Sequence, residues 1–250
     1  MKRVLRHILY WYLAAAARLV LWREGTEVIA VAGTVNKSFA KEAIGSILAQ
    51  NGLKAEMAYN GFNTEIGLPL AVLGLPSGYE SYSRWLAILP LAFRALFTRR
   101  LAPVLILELG VSRPGDLKKL LRIVRPRAAV ITDLTQRYRE NFSDISAMAR
   151  EYRRLLEYLP PDGLAVLNYD TITVRELGRI SPAPVFYFSL ENRPAAPDLW
   201  SAALQSRDAS GQRVFVSSPE GSGARVIGRF GRHHIASLLI ADIIGRHFKN

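Results

Sequence analysis

The sequence predicts an α/β fold in which helices flank a mostly parallel sheet, with an antiparallel edge near the C-terminus and an extra apolar helix at the N-terminus. Short apolar runs alternate with segments of helical periodicity, and turn residues separate them. Because buried strands that alternate with helices form right-handed βαβ units, this order favours a parallel sheet. In the last third, strand-like runs and a hairpin-like turn at residues 219–223 predict the antiparallel edge.

Each element has its own signal. Apolar runs predict strands over residues 28–32, 104–109, 128–132, 164–168, 185–189 and 214–218. Helical periodicity predicts helices over residues 82–100, 113–124, 145–158 and 235–248, and from Lys37-Ser38 through residue 48. Pro90 predicts a kink or break in the helix over 82–100, and Ser112 with Pro114 opens the helix over 113–124.

Residues 1–25, MKRVLRHILYWYLAAAARLVLWREG, form an apolar and basic helix ahead of a main domain over 26–250. Arg18 interrupts the apolar run, which is too short for a membrane span, and Arg18 and Trp22 do not fit a signal peptide. The helix therefore either lies in a membrane interface or packs under the domain. With the basic, apolar segment 82–100, it predicts peripheral contact at the inner face of the membrane.

Composition narrows the class of protein. Half of the 250 residues are hydrophobic, so the chain can bury a substantial core. The chain has no cysteine, which excludes disulfides and thiolate metal sites and suits the cytoplasm. A formal charge of +12 predicts attraction to nucleotides, nucleic acid or an anionic membrane. Nucleic acid is the weaker candidate, because the basic residues are scattered and no RNA-binding signature accompanies them.

Residues 28–48, VIAVAGTVNKSFAKEAIGSIL, have the layout of a phosphate-binding loop. An apolar strand meets Gly33 and Thr34, then Lys37 and Ser38, then a helix. In a P-loop, backbone amides cradle the phosphates, the lysine meets the β- and γ-oxygens and the hydroxyl holds Mg²⁺. Asn36 replaces the usual glycine before the lysine, but Asn tolerates a left-handed backbone. The sheet is thus predicted to be of the P-loop type; the alternative is an ordinary strand–turn–helix unit.

Five segments occur in order over residues 28 to 248: AGTVNKSFAKEAI, FNTEIGLPLAVLG, LILELGVSRPGDLKKLLRIVRPRAAVITDL, AREYRRLLEYLPPDGLAVLNYD and GRHHIASLLIADIIG. Together they resemble the central, ATP-binding domain of the Mur ligases, and look closest to the branch that adds D-alanyl-D-alanine. The family joins an amino acid or peptide to a nucleotide-sugar-linked acid through an acyl phosphate made from ATP. The resemblance therefore implies ATP and Mg²⁺ as cofactors.

The resemblance also implies roles for individual residues. Lys37 would contact the β- and γ-phosphates, and Ser38 and Glu108 would hold Mg²⁺, so Lys37 and Glu108 are the candidate catalytic residues. Carboxyl ends of parallel strands are where α/β proteins bind ligands, which independently supports Glu108. The alternative for Glu108 is a carboxylate that caps a helix or pairs with Arg113.

Further residues match the family near the nucleotide and the substrate. The implied nucleotide-binding set is Gly33, Thr34, Asn36, Lys37, Ser38, Asn168, Asp170 and His233. Asn63 and Glu65 match a substrate-side loop. Turn formation is the alternative for Asn168, Asp170 and the Asn63 loop, and helix capping is the alternative for His233.

Besides Asn36, further positions depart from the family pattern, and among them His234 and Ser237 stand where the family has asparagines. Asp133 stands where the family has an asparagine, Tyr138 where it has a histidine, and Tyr152 where it has a carbamylated lysine that provides a metal-binding carboxylate. A phenol with a pKa near 10 cannot supply that anionic ligand at neutral pH. Asp133 is a candidate substitute ligand.

These departures lead to two hypotheses. The first is a degenerate homologue related to peptidoglycan precursor synthesis, lacking the family's N- and C-terminal domains, that binds a nucleotide but has impaired or lost ligase activity. Its partners would be a cell-wall precursor or another Mur-type protein. The second is an active ATP-dependent amide ligase or ATPase that a partner chain completes.

Overall fold

The computed structural model describes residues 2–59, 61–78, 81–135, 140–194 and 196–248. Within them the strands are β1 Glu27–Ala32, β2 Ala55–Met57, β3 Val104–Glu108, β4 Pro126–Ile131, β5 Leu164–Asn168, β6 Val185–Ser189, β7 Leu199–Asp208, β8 Gly211–Ser218 and β9 Gly221–Ile227. The helices are α1 Lys2–Glu24, α2 Lys37–Gln50, α3 Gly67–Leu73, α4 Tyr82–Thr98, α5 Asp116–Leu120, α6 Ile145–Glu157, α7 Ile172–Leu177 and α8 Arg232–His247.

The strands form one sheet in the order β2-β3-β1-β4-β5-β6-β7-β8-β9. Pairings from β2 through β7 are parallel, whereas β7, β8 and β9 form an antiparallel edge. This confirms the predicted fold class. The strand β6 was predicted at the antiparallel edge, but it pairs in parallel with both β5 and β7.

The core has two halves, one on each face of the sheet. Successive side chains of a strand point to opposite faces. Val28 and Ala30 therefore face the half that α1 and α3 to α7 cover, and Ile29 and Val31 face the half under α2 and α8. Burial on both faces explains why the parallel strands read as continuous apolar runs.

The two helices α2 and α8 lie side by side and are fixed to each other at their C-terminal ends. Asn51, just after α2, donates from Nδ2 to the carbonyl oxygen of Gly245 at 2.7 Å. A Cβ atom on Gly245 would lie 2.7 Å from Cγ1 of Ile47, so glycine permits this close approach. Both helices begin at the sheet edge where β1 ends, and their first turns line the same cavity.

Two predicted helices differ from the structure. The helix expected over 113–124 is reduced to the five residues of α5, because Gly115 has a φ of 89° and Asp116 accepts hydrogen bonds from the amides of Ser112 and Arg113 in a turn. The predicted break at Pro90 is absent, since α4 runs through it. Pro90 lies on the exposed side of α4.

The N-terminal helix packs against the domain. Leu13, Ala17 and Val20 are fully buried, and α1 lies against α3 and α4. The hydroxyl of Tyr12 donates to the carbonyl oxygen of Leu89 at 2.9 Å, and the Arg23 guanidinium donates to the carbonyl of Leu96. Among the described helices, α1 included, none combines the length and apolar character needed to cross a bilayer.

Candidate functional site

The loop between β1 and α2 is fastened to the end of β4. Gly33 has a φ of 126°, and a Cβ atom there would collide with Oγ1 of Thr132 and lie 3.0 Å from the carbonyl oxygen of Asp133. The amide of Thr34 donates to that carbonyl at 2.8 Å. Thr132 Oγ1 donates across the loop to the carbonyl of Val35 at 2.7 Å. These contacts hold the loop against the sheet edge.

We expect Gly33→Ala to destabilise the fold by about 2 kcal/mol or more, because the methyl group meets both an unfavourable φ and packed atoms. Urea unfolding would measure the change. Gly223→Ala is the matched control, since Gly223 has open space around its missing Cβ atom. Equal stabilities of the two variants would contradict the close packing of the loop.

Asn36 completes the loop in a left-handed conformation, with φ 63° and ψ 10°. It is the one non-glycine residue with positive φ among the described residues. The side chain of Asn36 makes no capping hydrogen bond to the helix that follows. The amides of a helix N-terminus and the helix dipole make such a position favourable for an anion.

Lys37 folds back over this loop. Its Nζ donates to the carbonyl oxygen of Gly33 at 2.9 Å, and the residue is half-buried. Ser38, also half-buried, follows in the first turn of α2. The loop therefore brings a lysine ammonium and a hydroxyl to the start of the helix.

Glu108 ends β3 beside Val31 of β1, so its position at a strand end next to the loop is as predicted. Its carboxylate does not pair with Arg113. Instead Oε1 lies 2.9 Å from Nζ of Lys41, which also donates to the carbonyl oxygen of Ala58 at 2.7 Å. The side chains of Lys41 and Glu108 are 3% and 8% exposed, so the ion pair is buried.

Sequence reasoning missed Lys41. The sequence pattern that could have revealed Lys41 is its position on the apolar stripe of α2, in helical register with the buried residues Ile44 and Leu48. A lysine on a buried stripe requires an anionic partner, because a buried charge is costly without one.

A cavity of about 230 Å³ opens beside the loop, at the carboxyl ends of β4 and β5. The polar residues around it are Asn36, Thr132, Asp133, Asn168, Asp170, Thr171, Arg232, His233 and Ser237. Of the predicted nucleotide residues, it brings together Asn36, Asn168, Asp170 and His233. The other predicted site residues lie outside its lining: Gly33, Thr34, Lys37, Ser38, Asn63, Glu65 and Glu108. Thr132, Thr171 and Arg232 are cavity residues that sequence reasoning missed.

Asn168 and Asp170 build a turn as well as part of the cavity wall. Oδ1 of Asn168 accepts the amide of Asp170 at 2.9 Å, and Asp170 accepts the Ser189 hydroxyl at 2.5 Å and the Leu190 amide at 2.6 Å. These hydrogen bonds tie the end of β5 to the end of β6. The turn alternative for this pair is therefore present in the structure, at the rim of the cavity.

Asp133 lies at the cavity with its carboxylate already hydrogen-bonded. Its Oδ1 accepts the Thr171 hydroxyl at 2.7 Å and the Leu134 amide at 2.8 Å. On the opposite wall, the His233 ring stacks on Phe39, with centroids 4.3 Å apart, and on His234 at 4.2 Å. Partial burial of His234 lowers its pKa, and the nearby His233 and Arg229 lower it further. The neutral form of the His234 ring is therefore favoured.

The Asn63 loop abuts the segment after β3. The carbonyl of Asn63 accepts the amide of Gly110 at 2.8 Å. Glu65, two residues on, points elsewhere: its carboxylate lies 2.6 Å from Nζ of Lys119 and 2.9 Å from the Arg6 guanidinium. Glu65 thus joins α1 to α5.

These ion pairs give Glu65 a pH-dependent effect on stability. Burial raises its pKa, but the hydrogen bonds and charges of Lys119 and Arg6 outweigh burial and leave the pKa below its usual value. Its stabilisation is therefore present above the unfolded pKa and is lost as pH falls through the folded one.

We expect Glu65→Gln to cost up to about 1 kcal/mol at pH 7, because the pair is partly exposed, and to lose less stability on acidification than the parent chain. Urea unfolding between neutral pH and about pH 4 would measure it. Glu157→Gln, which breaks an exposed pair with Arg153, is the control. Identical pH profiles for Glu65→Gln and the parent chain would contradict the role of Glu65.

Of the departures noted in the sequence, Tyr138 lies outside the described residues. Tyr152 is fully buried in the core half that faces α1, so this position contributes to packing. Among the described residues, no group of three or more His, Asp or Glu side chains could hold a metal ion.

Comparison with known proteins identifies a family that covers most of the chain. The profile of the Mur ligase middle domain matches residues 31–245. The UDP-N-acetylmuramoyl-tripeptide–D-alanyl-D-alanine ligase of Escherichia coli is 26% identical over 223 residues, which are 86% of this chain and 42% of that protein. Among solved structures, the MurF ligase from Thermotoga maritima in complex with ADP superposes with a TM-score of 0.74 at 19% identity, over 95% of this chain and 49% of that one.

A ligase of the same type from Acinetobacter baumannii superposes with a TM-score of 0.72 at 17% identity, over 98% of this chain and 47% of that one. The chain thus spans less than half the length of each of these three relatives. The resemblance predicted from the five sequence segments is confirmed, including its likeness to the D-alanyl-D-alanine ligases. The loop, the strand-end carboxylate and the cavity lie in a chain that belongs to the Mur ligase middle domain family.

Proposed function

We propose that this chain binds ATP through its phosphates at the β1–α2 loop and that its ligase activity is impaired or lost. The observation that carries the proposal is the geometry of the loop: Gly33 and the left-handed Asn36 lead directly into the N-terminus of α2, and the Lys37 ammonium lies over the same loop. Backbone amides and one ammonium would face the phosphates, and neither needs a metal to act.

The residues present fit a nucleotide. Gly33 lets the loop pack closely against the end of β4, and the cavity beside the loop offers amide, hydroxyl and imidazole groups. Arg232 adds positive charge at that cavity. The complex of a Mur ligase relative with ADP supports the same ligand class for this chain.

The residues fit Mg²⁺ less well. Bound Mg²⁺ would neutralise charge on the transferring phosphoryl group, and it commonly uses one or two carboxylates together with phosphate oxygens. Ser38 and Glu108 would hold at most one ion, and Lys41 already neutralises Glu108. Tyr152, buried in the core, offers no carboxylate for a second ion. Metal-dependent ligation is therefore the activity that we propose is impaired.

The relatives' names place them in peptidoglycan precursor synthesis, and we propose that this chain acts near the same process. A cell-wall precursor or another Mur-type protein would then be its partner. The alternative function is an active amide ligase or ATPase that a partner chain completes, for which Glu108, Ser38 and Asp133 would be the remaining metal ligands.

Isothermal titration of ATP, with Mg²⁺ and then with EDTA, tests the proposal. We expect binding in both conditions, with little dependence on the metal, and no phosphate release above background. Absence of ATP binding in either condition would overturn the proposal. Phosphate release that Glu108→Gln abolishes, in the presence of an acid substrate, would instead favour the alternative.

A further inference from the structure

We propose that α1 and α4 together form a docking surface for an anionic lipid bilayer. The proposal concerns the face of these helices that points away from the sheet, and it is independent of nucleotide binding. It depends on three observations: an apolar stripe on each helix, the contact between the helices, and the charges around them.

The first helix is apolar on two opposite faces. Leu13, Ala17 and Val20 pack into the core, whereas a second set is exposed to solvent. That set consists of Ile8, Trp11, Leu19 and Trp22, and Trp22 is 79% exposed. Spacings of three, eight and three residues return to one face of a helix with 3.6 residues per turn, so these side chains form a stripe opposite the buried one.

The fourth helix repeats this arrangement. Ile88, Ala92 and Ala95 are buried on one face. Leu86, Phe93 and Phe97 are exposed on the opposite face, at 70%, 58% and 66%. Their spacings of seven and four residues again define one stripe.

The two stripes are neighbours. Contacts join Tyr12 to Leu89 near the middle of both helices and Arg23 to Leu96 near their C-terminal ends, so α1 and α4 run in the same direction side by side. Since both helices bury their other face in the same core half, both stripes face outward. Monomeric soluble proteins rarely leave so many large apolar side chains together in water.

The surrounding charges select an anionic partner. Exposed arginines lie on or directly after these helices: Arg18, Arg84, Arg94 and Arg100. The sequence of α4 contains no Asp or Glu, and α1 contains only Glu24, which pairs with Arg23 and Arg100. Two copies of this chain meeting through the stripes would bring arginine against arginine, whereas anionic headgroups complement them.

The type of contact also follows from the stripes. Helices with an outward apolar stripe and flanking cations lie in the plane of the membrane interface, with Trp and Phe at headgroup depth. The inward face of each helix remains packed on the domain. The chain would therefore sit on the bilayer with α1 and α4 beneath the sheet.

Co-sedimentation of the full chain with vesicles tests the proposal. We expect binding to vesicles of equimolar phosphatidylglycerol and phosphatidylcholine, weaker binding to phosphatidylcholine alone, and weakening as salt rises from about 0.1 M to about 0.5 M. The double variant Trp22→Ser with Phe97→Ser should bind about tenfold or more weakly, because it removes two apolar contacts from the stripes.

Phe230→Ser is the matched control, since Phe230 is an exposed aromatic residue just before α8, and it should bind like the parent chain. Thermal melting by circular dichroism would verify that every variant is folded. Equal binding of parent and double variant, or no binding to either vesicle, would overturn the proposal. So would a dimer in analytical ultracentrifugation that the double variant abolishes, because the stripes would then bind a second copy.

Discussion

ATP binding is expected to fall about 10- to 100-fold when Lys37 is replaced by methionine, because a charge-assisted hydrogen bond contributes about 1.5–3 kcal/mol. Methionine keeps most of the side-chain length but removes the ammonium. The Lys37 ammonium donates a hydrogen bond to the Gly33 carbonyl, so it lies over the loop at the start of α2. Its loss removes the positive side chain nearest to where the phosphates would lie.

Isothermal titration of the parent chain, Lys37→Met and Lys37→Arg would measure this change. Arginine retains charge and should keep part of the affinity. Lys54→Met is the matched control, since Lys54 is exposed in the turn after α2 and should bind ATP like the parent. If the parent binds ATP and Lys37→Met binds it equally well, the phosphates do not lie at this loop.

Lys41→Met is expected to destabilise the fold by about 3–5 kcal/mol, because it leaves the buried Glu108 carboxylate without its cation. The ammonium also donates to the Ala58 carbonyl, so a second buried group loses its partner. Such a loss is a large fraction of the 5–15 kcal/mol of a typical domain. Urea denaturation followed by circular dichroism would measure it.

Two further variants make this prediction specific. The double variant Lys41→Met with Glu108→Gln should recover much of the lost stability, because it removes the isolated charge. Lys119→Met breaks a more exposed pair with Glu65 and should cost about 1 kcal/mol or less. Similar losses in Lys41→Met and Lys119→Met would show that burial does not govern the Lys41–Glu108 pair.

The parallel strands could be predicted closely from the sequence. Strands β5 and β6 begin and end at the predicted residues, and β5 is buried at every position, as expected for a strand covered on both faces of the sheet. The strand β7 was missed because its second half is polar and exposed, as befits a hairpin that extends from the sheet. Local composition cannot distinguish such a strand from a loop.

The helices were harder to predict, because core packing in α4 and local hydrogen bonds in α5 override the simple helix signals of the sequence. Pro90 predicts a break from local chemistry, yet both halves of α4 bury residues in one core, and Ile88 and Ala92 flank the proline on the buried side. Before α5, the backbone amides of Ser112 and Arg113 donate to the carboxylate of Asp116, so the predicted first turn of the helix becomes a separate turn. Helix propensity alone predicts neither the core packing of α4 nor the hydrogen bonds to Asp116.

The candidate site was predictable in its parts but not in its pairings. The strand-end positions of Glu108 and Asn168 follow from a parallel sheet, whereas the grouping of Asn168 with His233 at one cavity follows from the resemblance to the family. That Lys41 neutralises Glu108 could not be deduced from spacing alone, because the partner comes from α2, a helix distant in sequence from β3 that packs on the same face of the sheet.

The hydrogen bond from Asn51 to the Gly245 carbonyl, which joins α2 to α8, affects the entropy of nucleotide binding. Since the two helices whose first turns line the cavity are joined at their far ends by this hydrogen bond, a nucleotide would meet a helical wall that is already in place rather than one that it must order. Association with a preorganised receptor loses little conformational entropy. Asn51→Ala removes this hydrogen bond and changes no atom that touches the ligand. We therefore expect calorimetry to show a more unfavourable entropy of ATP binding for this variant than for the parent chain.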